Sequence, residues 1–129
     1  MKAKIKINGV LTDVEIHDDG DLTIINEVAN YFSDKKLAAD ICRAQTMWRK
    51  IARWQAENDA PVDWRKKTTW KYFIIYDYSC GILGDDIATN INYGCPVYFS
   101  DKTKVDEAMD LFRDDLIWYF TKFKPRRDI

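Results

Sequence analysis

The sequence predicts an α+β fold built from an N-terminal β-hairpin, a long helix, an antiparallel β-meander and a C-terminal helix. Three observations lead there. An alternating lysine/apolar segment with an Asn-Gly turn opens the chain, and two long stretches later in it carry apolar residues three and four apart. The run Tyr-Phe-Ser-Asp-Lys also occurs twice, at Tyr31 to Lys35 and at Tyr98 to Lys102, just ahead of each of those stretches. Tyr and Phe suit a half-buried extended segment. Ser33 and Ser100 can each accept a hydrogen bond from an orphan amide of the helix that follows.

Each element follows from local chemistry. Lys2 to Ile7 alternates Lys2, Lys4 and Lys6 with Ala3, Ile5 and Ile7, Asn8-Gly9 is a hairpin turn, and Leu11 to Ile16 returns as the second strand. Asp18 to Asp21 forms a turn, and Leu22 to Ile25 adds a short third strand. From Asp34 to Glu57 there is no Gly or Pro, and Leu37, Ile41, Ala44, Trp48 and Ile51 share one face of a long helix. Arg43, Arg49, Lys50 and Arg53 fall on the opposite face, with Met47 and Trp54 at the border. Asn58-Asp59-Ala60-Pro61 ends this helix, since Pro disfavours helical geometry in the residue before it. Trp70 to Tyr78, dense in aromatic and β-branched residues, is a strand. Cys80-Gly81 and Gly84-Asp85-Asp86 mark turns, Ile87 to Tyr93 is a second strand, and Val97-Tyr98-Phe99 follows Gly94-Cys95-Pro96 as a third. A last helix over about Asp101 to Phe123 buries Val105, Met109, Phe112, Leu116, Tyr119 and Phe123 and turns Asp106, Glu107, Asp110 and Asp114 outward. The repeated motifs lie 67 residues apart while the apolar stripes align best at 68, which either an old duplication or convergence on one cap chemistry explains.

A chain of 129 residues fits a single domain, 1–129. Hydrophobic content of 47% excludes global disorder, and five Trp, seven Tyr and six Phe exceed what a small core usually needs, so some of that surface should face a partner. No apolar run approaches the roughly 20 residues that span a bilayer, and Met1 to Val10 lacks the continuous apolar stretch of a signal peptide. A soluble protein of the cytoplasm, without membrane contact, is the expectation. Cys42, Cys80 and Cys95 are widely spaced and His17 is the lone histidine, which fits neither a disulfide framework nor a zinc site. Asp18 to Asp21 lacks the ligand spacing and distal Glu of a calcium loop. With no glycine-rich phosphate loop, no Gly-x-Ser-x-Gly elbow and no paired carboxylates, neither an enzyme nor a cofactor is expected.

Net charge of −1 conceals a segregation: −3 over residues 1–40, +5 over 41–72 and −3 over 73–129. Such asymmetry bears on partners. The basic face of Arg43, Arg49, Lys50 and Arg53 continues into Arg65, Lys66, Lys67 and Lys71, interleaved with Trp48, Trp54, Trp64 and Trp70. Arg and Lys suit phosphates and exposed rings suit bases, so the mixture points to a nucleic acid or nucleotide. Two other readings stay open: a solvated helix face, or a surface that pairs with the acidic last helix of the same or a neighbouring subunit. The second of these, with the surplus of aromatics, suggests a homo-oligomer.

Several runs together resemble a known kind of protein. They are Asn30-Tyr31-Phe32-Ser33, Trp54 with Glu57-Asn58-Asp59, Pro61-Val62-Asp63-Trp64, Lys71-Tyr72 with Ile74 and Tyr76-Asp77-Tyr78, and Val97-Tyr98-Phe99-Ser100. Over about residues 30–122 the chain is similar to small accessory proteins encoded by phages and prophages of low-GC Gram-positive bacteria, with a more basic ending here at Phe123 to Arg127. The resemblance implies a protein that blunts host defence inside the bacterial cell. On this expectation it is an anti-CRISPR-like inhibitor that acts without catalysis, binding a host nuclease complex or its nucleic acid through the basic surface. A second possibility is a sponge for a cyclic nucleotide or dinucleotide immune signal, its base stacked on Tyr76, Tyr78 or Trp64. A third is a structural, oligomeric accessory protein with no ligand.

Overall fold

A computed structural model of the chain describes residues 34–123 and the backbone of three short strands ahead of them. The chain divides into two compact units at the junction of Thr46 and Met47. In the N-terminal unit, β1 (Ala3–Ile5) pairs antiparallel with β2 (Leu11–Asp13) on one side and with β3 (Tyr31–Phe32) on the other. Ala3 stands opposite Asp13 and Phe32. The turns expected at Asn8-Gly9 and Asp18 to Asp21, His17, the strand expected over Leu22 to Ile25, the cap Ser33 and the basic tail Arg126-Arg127 lie outside the described residues. Helix α1 (Lys35–Asn58) starts in this unit. Its first free amides, those of Lys36 and Leu37, donate to Asp34 Oδ1 at 2.9 and 3.2 Å. The capping residue is thus the aspartate of the repeated motif, whose charge also suits a helix N-terminus.

In the C-terminal unit, β4 (Lys71–Asp77) and β5 (Ile82–Ala88) form an antiparallel hairpin, with Lys71 opposite Ala88 and Asp77 opposite Ile82. Gly81 closes its turn at φ +69°, a left-handed conformation that glycine adopts without strain, and donates its amide to Asp77 O at 2.7 Å. Helices α2 (Lys102–Leu111) and α3 (Arg113–Lys122) follow. Alternation along β4 divides the apolar side chains between the two faces of the hairpin. Ile74 faces the main core, where Met47 and Ile51 of α1, Phe99, Val105 and Leu116 are buried. Phe73 points the other way, into a smaller cluster with Ala88 and Tyr98, covered by Val62, Trp64 and Cys95.

The element order predicted from the sequence is corrected by these observations. The fully described part runs helix, two-stranded hairpin, then two helices; there is no three-stranded meander in it and no single C-terminal helix. Gly84-Asp85-Asp86 was expected to turn, because these residues are poor strand formers. They lie within β5 instead, where Asp85 is held by Lys102 Nζ at 2.8 Å and Asp86 accepts the amide of Ile87 at 2.7 Å. The second strand is therefore Ile82–Ala88 and not Ile87 to Tyr93. Val97 to Phe99 adds only one bridge, in which Tyr72 and Phe99 exchange backbone hydrogen bonds at 2.8 and 2.7 Å. The last helix breaks at Phe112, which leaves helical geometry at φ −109° and ψ 19°. Asp114 and Asp115 then stand in the first turn of α3, where carboxylates favour a fresh N-terminus.

Candidate anion-binding surface

The predicted basic residues divide between exposed and committed ones. Arg43 is exposed on the N-terminal unit's part of α1. Within the C-terminal unit, Arg49, Lys50 and Arg53 are exposed along α1 at spacings of one, three and four, so they form one lateral stripe. The tryptophans expected between them turn inward. Trp48 meets Tyr119 edge-on at 5.4 Å and Trp54 lies 6.4 Å from Phe99, both against the main core. Tyr76 and Tyr78 are also engaged by the protein itself. Tyr76 stacks on Phe120 at 5.9 Å and 15°, and the Tyr78 hydroxyl donates to Phe120 O at 2.7 Å.

The rest of the basic surface sits on the loop between α1 and β4, which two consecutive turns shape. Asp63 makes the first: Oδ1 accepts the Arg65 amide at 3.0 Å and its carbonyl accepts the Lys66 amide at 3.2 Å. Arg65 then folds back on the same carboxylate, Nε to Oδ1 at 3.0 Å and a terminal nitrogen to Oδ2 at 3.2 Å. The hydrogen bonds from the Arg65 side chain and amide hold the Asp63 carboxyl below the usual carboxylate range. Thr69 closes the second turn by donating its amide to Lys66 O at 3.3 Å. Lys66 and Lys67 stay exposed and form no ion pair among the described residues.

Lys71, expected to extend the basic surface, is only 1% exposed. Its stem joins the strand face of Phe73, and its ammonium donates to Lys66 O at 2.7 Å, to Thr69 O at 3.0 Å and to Thr89 O. Three donors thus meet three carbonyls, which is the full capacity of an ammonium. The Trp64 ring lies 5.1 Å from the same nitrogen and packs edge-on against Tyr98 at 4.9 Å. Because Lys66 O and Thr69 O are the two ends of one turn, Lys71 pins the loop segment that carries Lys66 and Lys67.

Beside the pinned turn is a cavity of about 200 Å³, with Pro61, Val62, Lys66, Thr69 and Trp70 among its walls. A shallower depression of about 390 Å³ lies between Ala52 and Gln55 of α1 and Trp64, Asn92 and Tyr98. The far wall of the first cavity includes Ser100, fixed from α1's end: its amide and hydroxyl donate to Asp59 Oδ2 and Oδ1 at 2.8 and 2.5 Å. Partial burial favours the neutral form of Asp59, yet the hydrogen bonds from Ser100, Gln55 and Ala60 outweigh it and leave the carboxyl below its ordinary range. Ser100 is therefore a latch for the end of α1, and Asp101 caps α2 by accepting the Thr103 amide at 3.0 Å.

The acidic side of α2 is met by bases close at hand. Lys102 bridges Asp106 at 2.7 Å and Asp85 at 2.8 Å, and these contacts raise its ammonium above the ordinary lysine range. Lys104 pairs with Glu107 at 3.8 Å and Arg113 with Asp110 at 3.3 Å. None of the three cysteines is in a disulfide, and no cluster of metal-ligating side chains occurs among the described residues.

Sequence reasoning overlooked the pinning by Lys71, the Asp59–Ser100 latch and the separate position of Trp70. The last of these had a signal, since Trp70 directly follows the polar run Lys66 to Thr69 and precedes the strand. No described helix is long and apolar enough to cross a membrane. Comparison of the chain with protein-family models, with curated proteins and with solved structures finds no match.

Proposed function

We propose that this protein acts without catalysis, as a binder of an anionic partner, and that its setting is the one its phage-like motifs imply: inhibition of a host nuclease complex through the protein or its nucleic acid. The observation that carries the reading is the exposure of Lys50, Arg53, Lys66 and Lys67 with no ion pair among the described residues, two on a helix and two on a pinned turn. Uncompensated cations of this kind raise the local potential and speed association with polyanions. The sponge for a cyclic dinucleotide gains less: the Trp70 cavity, at about 200 Å³, falls below the roughly 300–1,000 Å³ of pockets that enclose ligands of that size, and the depression of about 390 Å³ is shallow, its Trp64 ring packed edge-on against Tyr98.

The test replaces Lys50, Arg53, Lys66 and Lys67 together by Glu. Wild-type protein should inhibit its target nuclease complex at a fixed stoichiometry, with no turnover, and the variant should lose that inhibition while its circular dichroism and melting temperature stay close to wild type. Inhibition by the variant at wild-type potency would remove the reading. A nucleotide panel in a thermal-shift assay separates the sponge, since only that function predicts a large rise in melting temperature with a small nucleotide.

A further inference from the structure

We propose that the cavity beside Trp70 is a subsite for one unpaired base of a single-stranded nucleic acid, with Lys66 and Lys67 on the neighbouring phosphates. The inference rests on the reading of the basic surface as anion-binding and gives it a ligand class. Of the five tryptophans, four pack at least partly into the protein; Trp70 is 54% exposed. Its ring meets Tyr72 at 6.4 Å and 70°, and no ring among the described residues stacks parallel to it. A large flat face is thus left at the rim of a cavity whose other walls include Pro61, Val62 and Lys66.

The volume decides how much of a ligand enters. About 200 Å³ suits one ring system and leaves sugar and phosphates outside, where Lys66 and Lys67 stand exposed. Asp63, the carboxylate in the cavity wall, would repel a phosphate if it stood alone. Its two-point contact with Arg65 offsets that charge. The turn is held in advance by the Lys71 ammonium and the Thr69-to-Lys66 hydrogen bond, so binding orders little new chain. A base paired within a duplex cannot present its face to Trp70. Single strands, whose bases turn outward onto aromatic platforms between basic residues, fit the arrangement.

The experiment measures fluorescence anisotropy of a labelled oligothymidylate of about ten nucleotides, within the span that single-strand sites usually cover. An abasic strand of equal length, a blunt duplex and polyglutamate as competitor run beside it, each at low and moderate salt. The wild type should bind the oligothymidylate at least about tenfold more tightly than the abasic strand. Trp70→Ala should remove that difference and leave abasic binding unchanged, while Trp70→Phe should keep most of it. Lys66→Ala with Lys67→Ala should weaken both strands and lower the salt slope by about 1.4, at roughly 0.7 per phosphate contact on a single strand. Equal affinity for abasic and base-bearing strands, unchanged binding by Trp70→Ala, preference for the duplex, or equal competition by polyglutamate would each overturn the subsite. If Trp70→Ala binds like wild type while the Lys50/Arg53/Lys66/Lys67→Glu variant does not, the subsite fails and the basic-surface reading stands. If no polyanion binds at all, the subsite fails together with the nucleic-acid arm of the basic-surface reading, and the inhibition test with the Lys50/Arg53/Lys66/Lys67→Glu variant decides the protein arm.

Discussion

At the scale of single residues, the loop owes its shape to one buried charge. An ammonium removed from water is costly unless its donors are met, and in Lys71 three backbone carbonyls meet them. Lys71→Met keeps the length and the apolar stem but takes the ammonium donor from Thr69 O and Thr89 O and leaves Lys66 O with the Thr69 amide alone. Hydrogen bonds to charged groups contribute about 1.5–3 kcal/mol each, and part of that is offset by the desolvation no longer required, so a net loss of about 2–4 kcal/mol is expected in urea unfolding. Amide exchange at Thr69 should quicken at the same time, because its turn loses the pin. A variant as stable as wild type would show the carbonyls to be satisfied by water instead. Asp59 gives a second prediction, with a sign. Its folded-state carboxyl titrates below the unfolded value of about 3.9, so its contribution is complete above that value and fades as pH falls through the folded one. Asp59→Asn should cost about 1–2 kcal/mol at pH 7, since an amide N–H₂ would face the Ser100 amide, and the gap from wild type should narrow steadily below about pH 4. A gap that stays constant from pH 7 to pH 3 would contradict the assignment.

At the scale of elements, the core-facing side of α1 within the C-terminal unit is set by Met47 and Ile51. Ile51 is fully buried, so Ile51→Ala should cost about 2–5 kcal/mol from lost burial and the cavity left behind. Leu111, 63% exposed at the end of α2, is the control: Leu111→Ala should stay within about 0.5 kcal/mol in the same urea experiment. The contrast between these two positions marks what was legible. Periodicity alone placed Ile51 inward, and it placed Val105, Met109 and Leu116 inward as well, because a stripe at three and four spacing is a property of the chain itself. The break at Phe112 was not legible from breakers, for neither Gly nor Pro is near; its trace is the Asp114-Asp115 pair. The strand over Gly84 to Asp86 was invisible for a different reason, since Lys102, seventeen residues on from Asp85, supplies the ion pair that holds the aspartate there. The cap rule found both helix starts but chose serine over the aspartate beside it. In the second copy Ser100 is already taken by Asp59, a partner 41 residues away in sequence. For the candidate surface, composition identified the cations, while the sorting of tryptophans into packed and exposed depended on tertiary contacts that no spacing encodes.

At the scale of the whole chain, both apolar clusters, among the described residues, draw on residues from Met47 onward, so the packing described for the C-terminal unit lies within it. A chain beginning at Asp34 keeps this packing and also keeps the α1 cap, whose carboxylate holds the Lys36 and Leu37 amides. It should therefore unfold in one cooperative urea transition, with a slope of about 1–3 kcal/mol/M as for other small domains. Its charge changes with the cut: residues 1–33 carry three lysines against six acids, so the remainder has a net charge of +2 in place of −1. Long-range attraction of a polyanion should rise accordingly, and most at low salt, where the Debye length is about 30 Å at 0.01 M. Affinity for the oligothymidylate is thus expected to be higher for the shortened chain at low salt and to converge on that of the full chain at about 0.15 M, where screening confines the effect to nearby charges. Loss of cooperative unfolding would mean that the first 33 residues complete the core. A shortened chain that folds but binds more weakly at every salt concentration would place part of the anion-binding surface within the removed residues 1–33, whose bases are Lys2, Lys4 and Lys6.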